Sequence, residues 1–506
     1  MSDILTLNSG VDNDSLTGST SSLNTGTLRR KYNFGDYVSE LSIMQDPFFR
    51  FVSMVSKKPT DDPSFKFTEK RHSYHRRYAY VTAHDNATGT ASVATTTDIN
   101  AASDAVGDNI KLKMETDYLY EGNQVKSYGQ TATAVGATGT RPRFFFANQL
   151  VKIPLCAASN GSNNQDTTEY IIVKVNQATD SGEAVILDCK VVKAPSAVDQ
   201  YFMGAPNAAQ LKGSQEGLAP YRCYVSGSAH AEGSGYPETW IDQPYVTGTG
   251  QTQIFKTSAV MNNTDRATVL KYEGNEWARI WKEKLIEHKW DIEQALLFGS
   301  QQSNANVGVN TTEGAVSFIS DYGNLFDMTL ATKTQDSFLD DLSAMLDPRY
   351  NNASSTVFFC STAVYNWLHK LSGYFANNIG AVQPFAGGTP NTAAGQADSH
   401  TAARADMALT GRKKVFGVDI TTISTIYGDM NVARNIHLDG TKVKMLGVNM
   451  KYCAYRPLVG NGINRDTGVY VGVQTLENSG VDRRVDQILT EAGMEWCCPE
   501  THAIWQ

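Results

Sequence analysis

The sequence predicts an α+β protein, and three stretches carry that prediction. Short apolar runs that read as strands, FFFANQLVKIPL (144–155), EYIIVKV (169–175) and AVILDCKVV (184–192), stand among Gly, Ser, Thr, Asn and Ala. One long helical pattern follows, from about Asn263 to Leu297. Farther on, VFFC (357–360) runs straight into STAVYNWLHKLSG (361–373), a strand leading into a helix.

Taken in order, residues 1–28 are nearly all polar or small, with no Lys or Arg before Arg29. Alone they cannot bury enough apolar surface to offset their ordering entropy, so they form an arm. The first concentrated apolar run holds Phe48, Phe49, Phe51, Val52 and Met54, and there the chain joins a core. After a Lys, Pro and Asp turn, FKFTEKRHSYHRRYAYV alternates apolar and charged residues as a long half-exposed strand does. From 85 to 245 the small-residue background with its short strand-like runs reads as a β-rich insertion.

The helical pattern after Asn263 would span roughly 50 Å at about 1.5 Å per residue, with Gly299 placed to end it. Trp277, Trp281, Leu285, His288, Ile292 and Leu296 fall on one face, and Ile286, Trp290 and Leu297 form a second apolar stripe. A helix apolar on two sides must be covered on two sides, so a further segment is expected across it. A short helix is expected from Asp336 to Leu346, closed by Pro348. VFGVDITTIS (415–424) reads as a strand, and IHL and VKML as a hairpin about Asp439-Gly440. QILTEAGMEWCCPETHAIWQ closes the chain as a mixed segment, and no internal repeat is seen.

At 506 residues the chain is long enough for two or three packed units. Its net charge of -8, with basic residues spread along the chain, argues against nucleic acid as its primary partner and leaves room for an inner surface near packed DNA. The seven cysteines form no C-x-x-C pair and read as buried reduced thiols of a cytosolic product. No signal peptide opens the sequence, and no stretch approaches the ~20 apolar residues of a membrane helix, so no membrane is expected as a partner.

No residues are assigned a catalytic, cofactor-binding or metal-binding role. His72 and His75, three apart on a strand, point to opposite faces and belong to a solvated basic run. Asp12 and Asp14 begin like a calcium loop, but Leu16 and Thr17 stand where a ligand and Gly are needed. Asp340 and Asp341 are expected to serve a helix start through its dipole. Gly248 and Gly250, and Gly460 and Gly462, open like phosphate loops but lack the third Gly with a preceding strand and a following helix. No Walker loop, G-x-S-x-G elbow or H-E-x-x-H occurs.

The order of elements, an arm, a half-exposed strand with a loop insertion, a long helix, a mixed unit and a returning strand, resembles the Hong Kong ninety-seven fold of tailed-phage major capsid proteins. TQIFKTSAV (252–260) followed by NEWARIWKEKLIEHKWDIEQALLFG (275–299) is similar to the strand-to-spine-helix passage of one broad phage capsid family. FVSMVSKKPTDDPSFKF resembles the approach to that family's extended loop, and VDQILTEAGMEWCCPETHAIWQ its closing segment.

The resemblance implies residues 1–60 as the N-terminal arm, 61–255 as the extended loop with its β-rich insertion, 256–335 as the peripheral domain with the spine helix, 336–450 as the axial domain, and 451–506 as the return to the body. It also implies that a neighbour's extended loop covers the second stripe, which makes Ile286, Trp290 and Leu297 the expected intersubunit contacts. The implied function is structural: a major capsid protein that self-assembles into pentamers and hexamers of an icosahedral head around double-stranded DNA, touched at the inner face without sequence-specific binding. Scaffold, portal and decoration proteins are implied as partners, and the virion, assembled in a host cytoplasm, as the location. Another phage structural protein, of the tail or decorating the head, is the alternative, though a long mid-chain helix weighs against it. A soluble hydrolase with a site split along the chain is a third reading.

Overall fold

The computed structural model describes residues 46–70, 77–86, 105–116, 141–156, 170–182, 184–194, 201–202, 223–239, 245–269, 275–304, 308–346, 356–371 and 407–506. Strands and helices build two sheets of the body and a third in the insertion, as an α+β protein should.

The first body sheet is antiparallel. Its long strand Arg483–Trp496 is flanked by Gln253–Asn262 on one side and by Cys453–Pro457 and Gly468–Gln474 on the other. Gln253–Asn262 alternates without a break: Phe255, Thr257, Ala259 and Met261 are buried, and the residues between them are exposed. That period of two gives the sheet one face for a core and one for solvent or a partner.

The helix Glu276–Phe298 packs on this sheet. Asn275 caps it by accepting the Ala278 N–H at 3.1 Å. Ion pairs of Arg279 with Glu276 and Glu283, and of Lys284 with Glu287, run along its exposed side. The expected single helix from Asn263 is therefore two: Asn263–Ala267 ends at an extended Thr268, and the long helix begins afresh at Asn275. Its 23 residues span roughly 35 Å. Gly299 ends the helix as expected, but in an extended conformation. Its need for glycine is close packing, since a Cβ at Gly299 would lie 2.4 Å from the Ala295 carbonyl oxygen and 2.9 Å from that of Thr312.

The second body sheet has seven strands, in the order Asn324–Phe326, Ala503–Trp505, Met445–Asn449, Thr356–Cys360, Gly428–Arg434, Val418–Thr425 and Met407–Val415. Thr356–Cys360 is buried on both faces. Val357 and Phe359 join the core under the helix Pro47–Val55, while Phe358 and Cys360 join the core under Gln335–Met345 and Thr362–Leu371. The strand-to-helix passage at 357–373 is borne out over Thr356–Leu371.

Two local expectations are corrected. VFGVDITTIS is not one strand, because the chain turns at Phe416-Gly417, both with positive φ. IHL is a 3-10 turn and not half of a hairpin: the Asn435 side chain accepts the His437 N–H at 2.9 Å and winds the backbone locally. Met445–Asn449 accordingly pairs with Thr356–Cys360 and Ala503–Trp505.

The insertion is bounded by a ladder in which Ser64–Glu69 pairs with Val246–Gln251. Between these strands lies a closed barrel. Gln149–Cys156, Tyr170–Ser181, Ala184–Lys193, Asn109–Glu115, Tyr78–Asn86 and Cys223–Ser228 pair in that order, and the last pairs again with the first. Closure removes the sheet edges that an exposed insertion would otherwise present. The barrel has a core of its own, including Leu112, Val151, Ile171, Val173 and Leu187.

Candidate assembly interface

The long helix is the element to which the rest of the body is fastened, and two buried polar groups on it do the fastening. His288 sits between Thr257 and Thr490, its Nδ1 2.9 Å from one hydroxyl and its Nε2 2.8 Å from the other. Burial lowers its pKa, so the neutral ring ties the helix to two strands of the first sheet. One turn and a half on, Glu293 is fully buried. Its carboxylate accepts the Phe48 N–H at 3.1 Å, the Phe49 N–H at 2.6 Å and the Asn435 side-chain N–H at 3.0 Å. Helix Pro47–Val55 and the 3-10 turn at Ile436–Leu438 thus meet at one side chain. Desolvation raises the Glu293 pKa to about 7 against the opposing effect of these donors.

This arrangement accounts for both apolar stripes. His288, Ile292, Glu293, Leu296 and Leu297 are buried within the chain, whereas Trp277, Trp281 and Leu285 nearer the N-terminus are only partly covered. Of the three expected contact residues, Leu297 has no exposed surface and belongs to the subunit's own core with Phe48, Phe359 and Trp496. It is corrected on that ground: helix Pro47–Val55 and the second sheet supply the cover that was expected from a neighbour. Trp290 is half-buried, its ring edge-on to His437 at 4.7 Å between centroids, and the His437 Nδ1 lies 2.6 Å from the Gln294 amide nitrogen. Ile286 is half-buried.

Other singled-out residues find structural roles. Gly248 and Gly250 lie in the strand Val246–Gln251, where Gly250 makes room for Phe65 directly opposite: a Cβ there would come within 2.3 Å of the ring. Gly460 and Gly462 flank Asn461 in a two-residue hairpin turn whose central residues have positive φ. Asp341 lies mid-helix and not at the start, held by Lys333 at 2.5 Å and the Trp505 indole at 3.0 Å. Burial pushes the Cys223 and Cys453 thiols up to about 12 and those of Cys189, Cys360 and Cys497 higher still, so these sulfurs stay protonated. His72, His75, Asp12 and Asp14 lie outside the described residues.

Among the described residues no three His, Cys, Asp or Glu side chains gather as a metal site would require, and no helix is long and apolar enough to cross a membrane. A cleft between the stem ladder and helix Ala315–Tyr322 is lined by Thr247–Thr249, Ser300–Ser303, Glu313 and Asp321, with no His, Cys or Lys among its walls.

The chain is similar in structure to proteins of Microbacterium phage Oxtober96 (11% identity, 55% of this chain and 80% of that chain, TM-score 0.34) and Mycobacterium phage Patience (13%, 56% and 77%, 0.34). It is also similar to a chain of the bacteriophage PhiM1 mature capsid (10%, 56% and 78%, 0.33). No curated protein matches it. A family model described as SU10 major capsid protein matches residues 15–506. The match spans body and insertion together: the chain belongs to the SU10 major capsid protein family and is a capsid-forming protein.

Proposed function

We propose that this chain is the shell subunit of a tailed-phage head with the Hong Kong ninety-seven-like fold, and that its copies form pentamers and hexamers tiling an icosahedral shell around double-stranded DNA. The observation that carries the reading is the family match over residues 15–506. The stem ladder and barrel correspond to the extended loop and its insertion (61–255), the long helix on the first sheet to the peripheral domain (256–335), and the five strands of the second body sheet from Thr356–Cys360 to Met445–Asn449 to the axial domain (336–450). The last segment (451–506) serves both sheets, through Arg483–Trp496 in one and Ala503–Trp505 in the other. Residues 1–60 are the arm, of which only the helix from Pro47 and the residues beside it are described.

Heterologous contacts close such subunits into rings, and long loops and arms bury enough area to hold a shell although each contact is modest. The intersubunit contact narrows to Ile286 and the exposed part of Trp290. Scaffold, portal and decoration proteins are the further partners, and a host cytoplasm the place of assembly. Sedimentation with negative-stain imaging of the purified protein tests the reading: hollow shells or five- and sixfold rings are expected, and a monomer under all conditions, even with neighbouring genes co-expressed, overturns it. Ile286→Glu and Trp290→Glu test the contact. Loss of shells with native-like circular dichroism is expected, and intact shells from both variants exclude it.

A further inference from the structure

We propose that Phe65 is the positioning residue for assembly: its ring, wedged between two glycines on the first body sheet, fixes the roll of the stem ladder and so the orientation in which the insertion sets out toward another copy. The inference rests on the reading that copies of this chain build a shell.

Phe65 is 4% exposed, yet it belongs to none of the three cores. Its burial comes from a seat outside them. In the ladder it stands directly opposite Gly250, where a Cβ would strike its ring. On the body side is Gly493 of the long strand Arg483–Trp496, where a Cβ would lie 3.1 Å from the ring and overlap the Gln251 carbonyl oxygen. Neither glycine has positive φ, so what both positions require is space. Arg456, the cross-strand partner of Gly493, closes the third side: its guanidinium carbon stands 5.1 Å from the ring centroid, and its Nε is 3.4 Å from the Glu495 carboxylate.

The foot of the stem is pinned to the body at two further points. Thr252, where the ladder passes into the first sheet, donates its hydroxyl to Glu491 at 3.3 Å, and Glu69, at the far end of its strand, accepts the Cys498 N–H at 3.2 Å. Two points leave rotation about the line that joins them. The Phe65 ring removes that freedom, because rolling the ladder drives the ring into the backbone at Gly493 or lifts it from under Arg456.

Ring closure by heterologous contacts needs one angle, repeated in every copy. A loop aimed in advance also loses less freedom on binding than one that must be caught. A buried aromatic outside the cores thus serves the geometry of contacts between copies, and the body folds around side chains of its own.

The test compares Phe65→Ala, Gly250→Ala and the double variant in the full chain, by sedimentation, negative-stain imaging and small-angle scattering of the unassembled subunit. Each single change is expected to leave circular dichroism native-like, to broaden the distribution of intramolecular distances, and to lower the yield of closed shells about tenfold through lost preorganisation. The double variant should be no worse than either single one, because the methyl group added at position 250 meets a ring that is no longer there. Phe65→Leu, which refills part of the seat, should recover part of the yield. Wild-type shell yield from Phe65→Ala, or defects that add in the double variant, overturn the proposal. So does an unfolded Phe65→Ala subunit, which makes the ring a folding residue. Scattering keeps the two readings apart: absence of shells from wild type counts against the capsid reading, and a distance distribution unchanged by Phe65→Ala counts against this one.

Discussion

Replacing Glu293 tests how the body is held together. Glu293→Ala removes both oxygens that accept the Phe48, Phe49 and Asn435 donors, all from a fully buried position. An orphaned buried donor costs about 1–3 kcal/mol. With some relaxation of the helix end, a loss of about 3–5 kcal/mol in the local stability of helix Pro47–Val55 is expected. Amide hydrogen exchange at Phe48 and Phe49 in the unassembled subunit reads it directly. The same site predicts a pH dependence. The folded carboxyl titrates at about 7 against an ordinary value of 4.5, so the native state binds more protons than the unfolded one between those values. The contribution of Glu293 is therefore most favourable below pH ~4.5 and is lost as pH rises through ~7, a change of about 3 kcal/mol. Glu293→Gln, which cannot ionise, should flatten that slope. Exchange at Phe48 and Phe49 within threefold of wild type in Glu293→Ala, or parallel pH slopes in wild type and Glu293→Gln, would refute the reasoning.

Three further substitutions probe other joints. His502 is buried and neutral, accepting the Asn449 N–H at Nδ1 and reaching the Cys497 carbonyl at Nε2, both at 3.2 Å, and its pKa is lowered by burial to about 4. Its stabilisation is present above pH ~6.5 and is lost as pH falls toward ~4, by about 3 kcal/mol; thermal midpoints from pH 4 to 7 should fall less steeply in His502→Gln than in wild type. Gly314→Ala drives a methyl group to 2.6 and 2.7 Å from the Gly299 backbone nitrogen and oxygen, so a loss of about 2–3 kcal/mol is expected, seen as a drop in soluble yield and melting temperature. Thr257→Val deprives the His288 Nδ1 of its Thr257 hydroxyl partner and should cost about 1–2 kcal/mol, measured by urea unfolding of the subunit.

Local pattern made much of this fold legible. The runs at 144–155, 169–175 and 184–192 became the strands Gln149–Cys156, Tyr170–Ser181 and Ala184–Lys193, with Val151 and Ile153, Ile171, Val173 and Val175, and Val185, Leu187, Cys189 and Val191 buried at alternate positions. Their closure into a barrel was not legible, since pairing with Asn109–Glu115 and Cys223–Ser228 is a relation between distant segments that neither announces. The long helix was overextended because its apolar spacing continues back toward Asn263; the signal that starts it afresh is the cap Asn275. Leu297 was misassigned because periodicity tells which side chains need cover and not which chain provides it. Glu293 went unread as well, although a carboxylate between Ile292 and Leu296 in an apolar stripe is the kind of residue that demands a buried partner.

The separation of cores explains how the insertion and the body can serve different ends. The barrel core shares no residue with the two body cores, and the stem ladder Ser64–Glu69 with Val246–Gln251 joins the ends of the insertion before it begins. Changes on the barrel's outer face therefore alter its charge without loosening the body. The body behaves oppositely, because the long helix is bonded through His288 to one sheet and through Glu293 to the first helix and the turn beside the other. Under the proposed contact at Ile286 and Trp290, a load there is carried to both sheets within a few residues. It follows that charge reversals on the barrel and substitutions at Glu293 should be additive in stability, with coupling below about 0.5 kcal/mol. Glu293 and His288 variants should couple more strongly than that, and a double-mutant cycle in the unassembled subunit distinguishes the two cases.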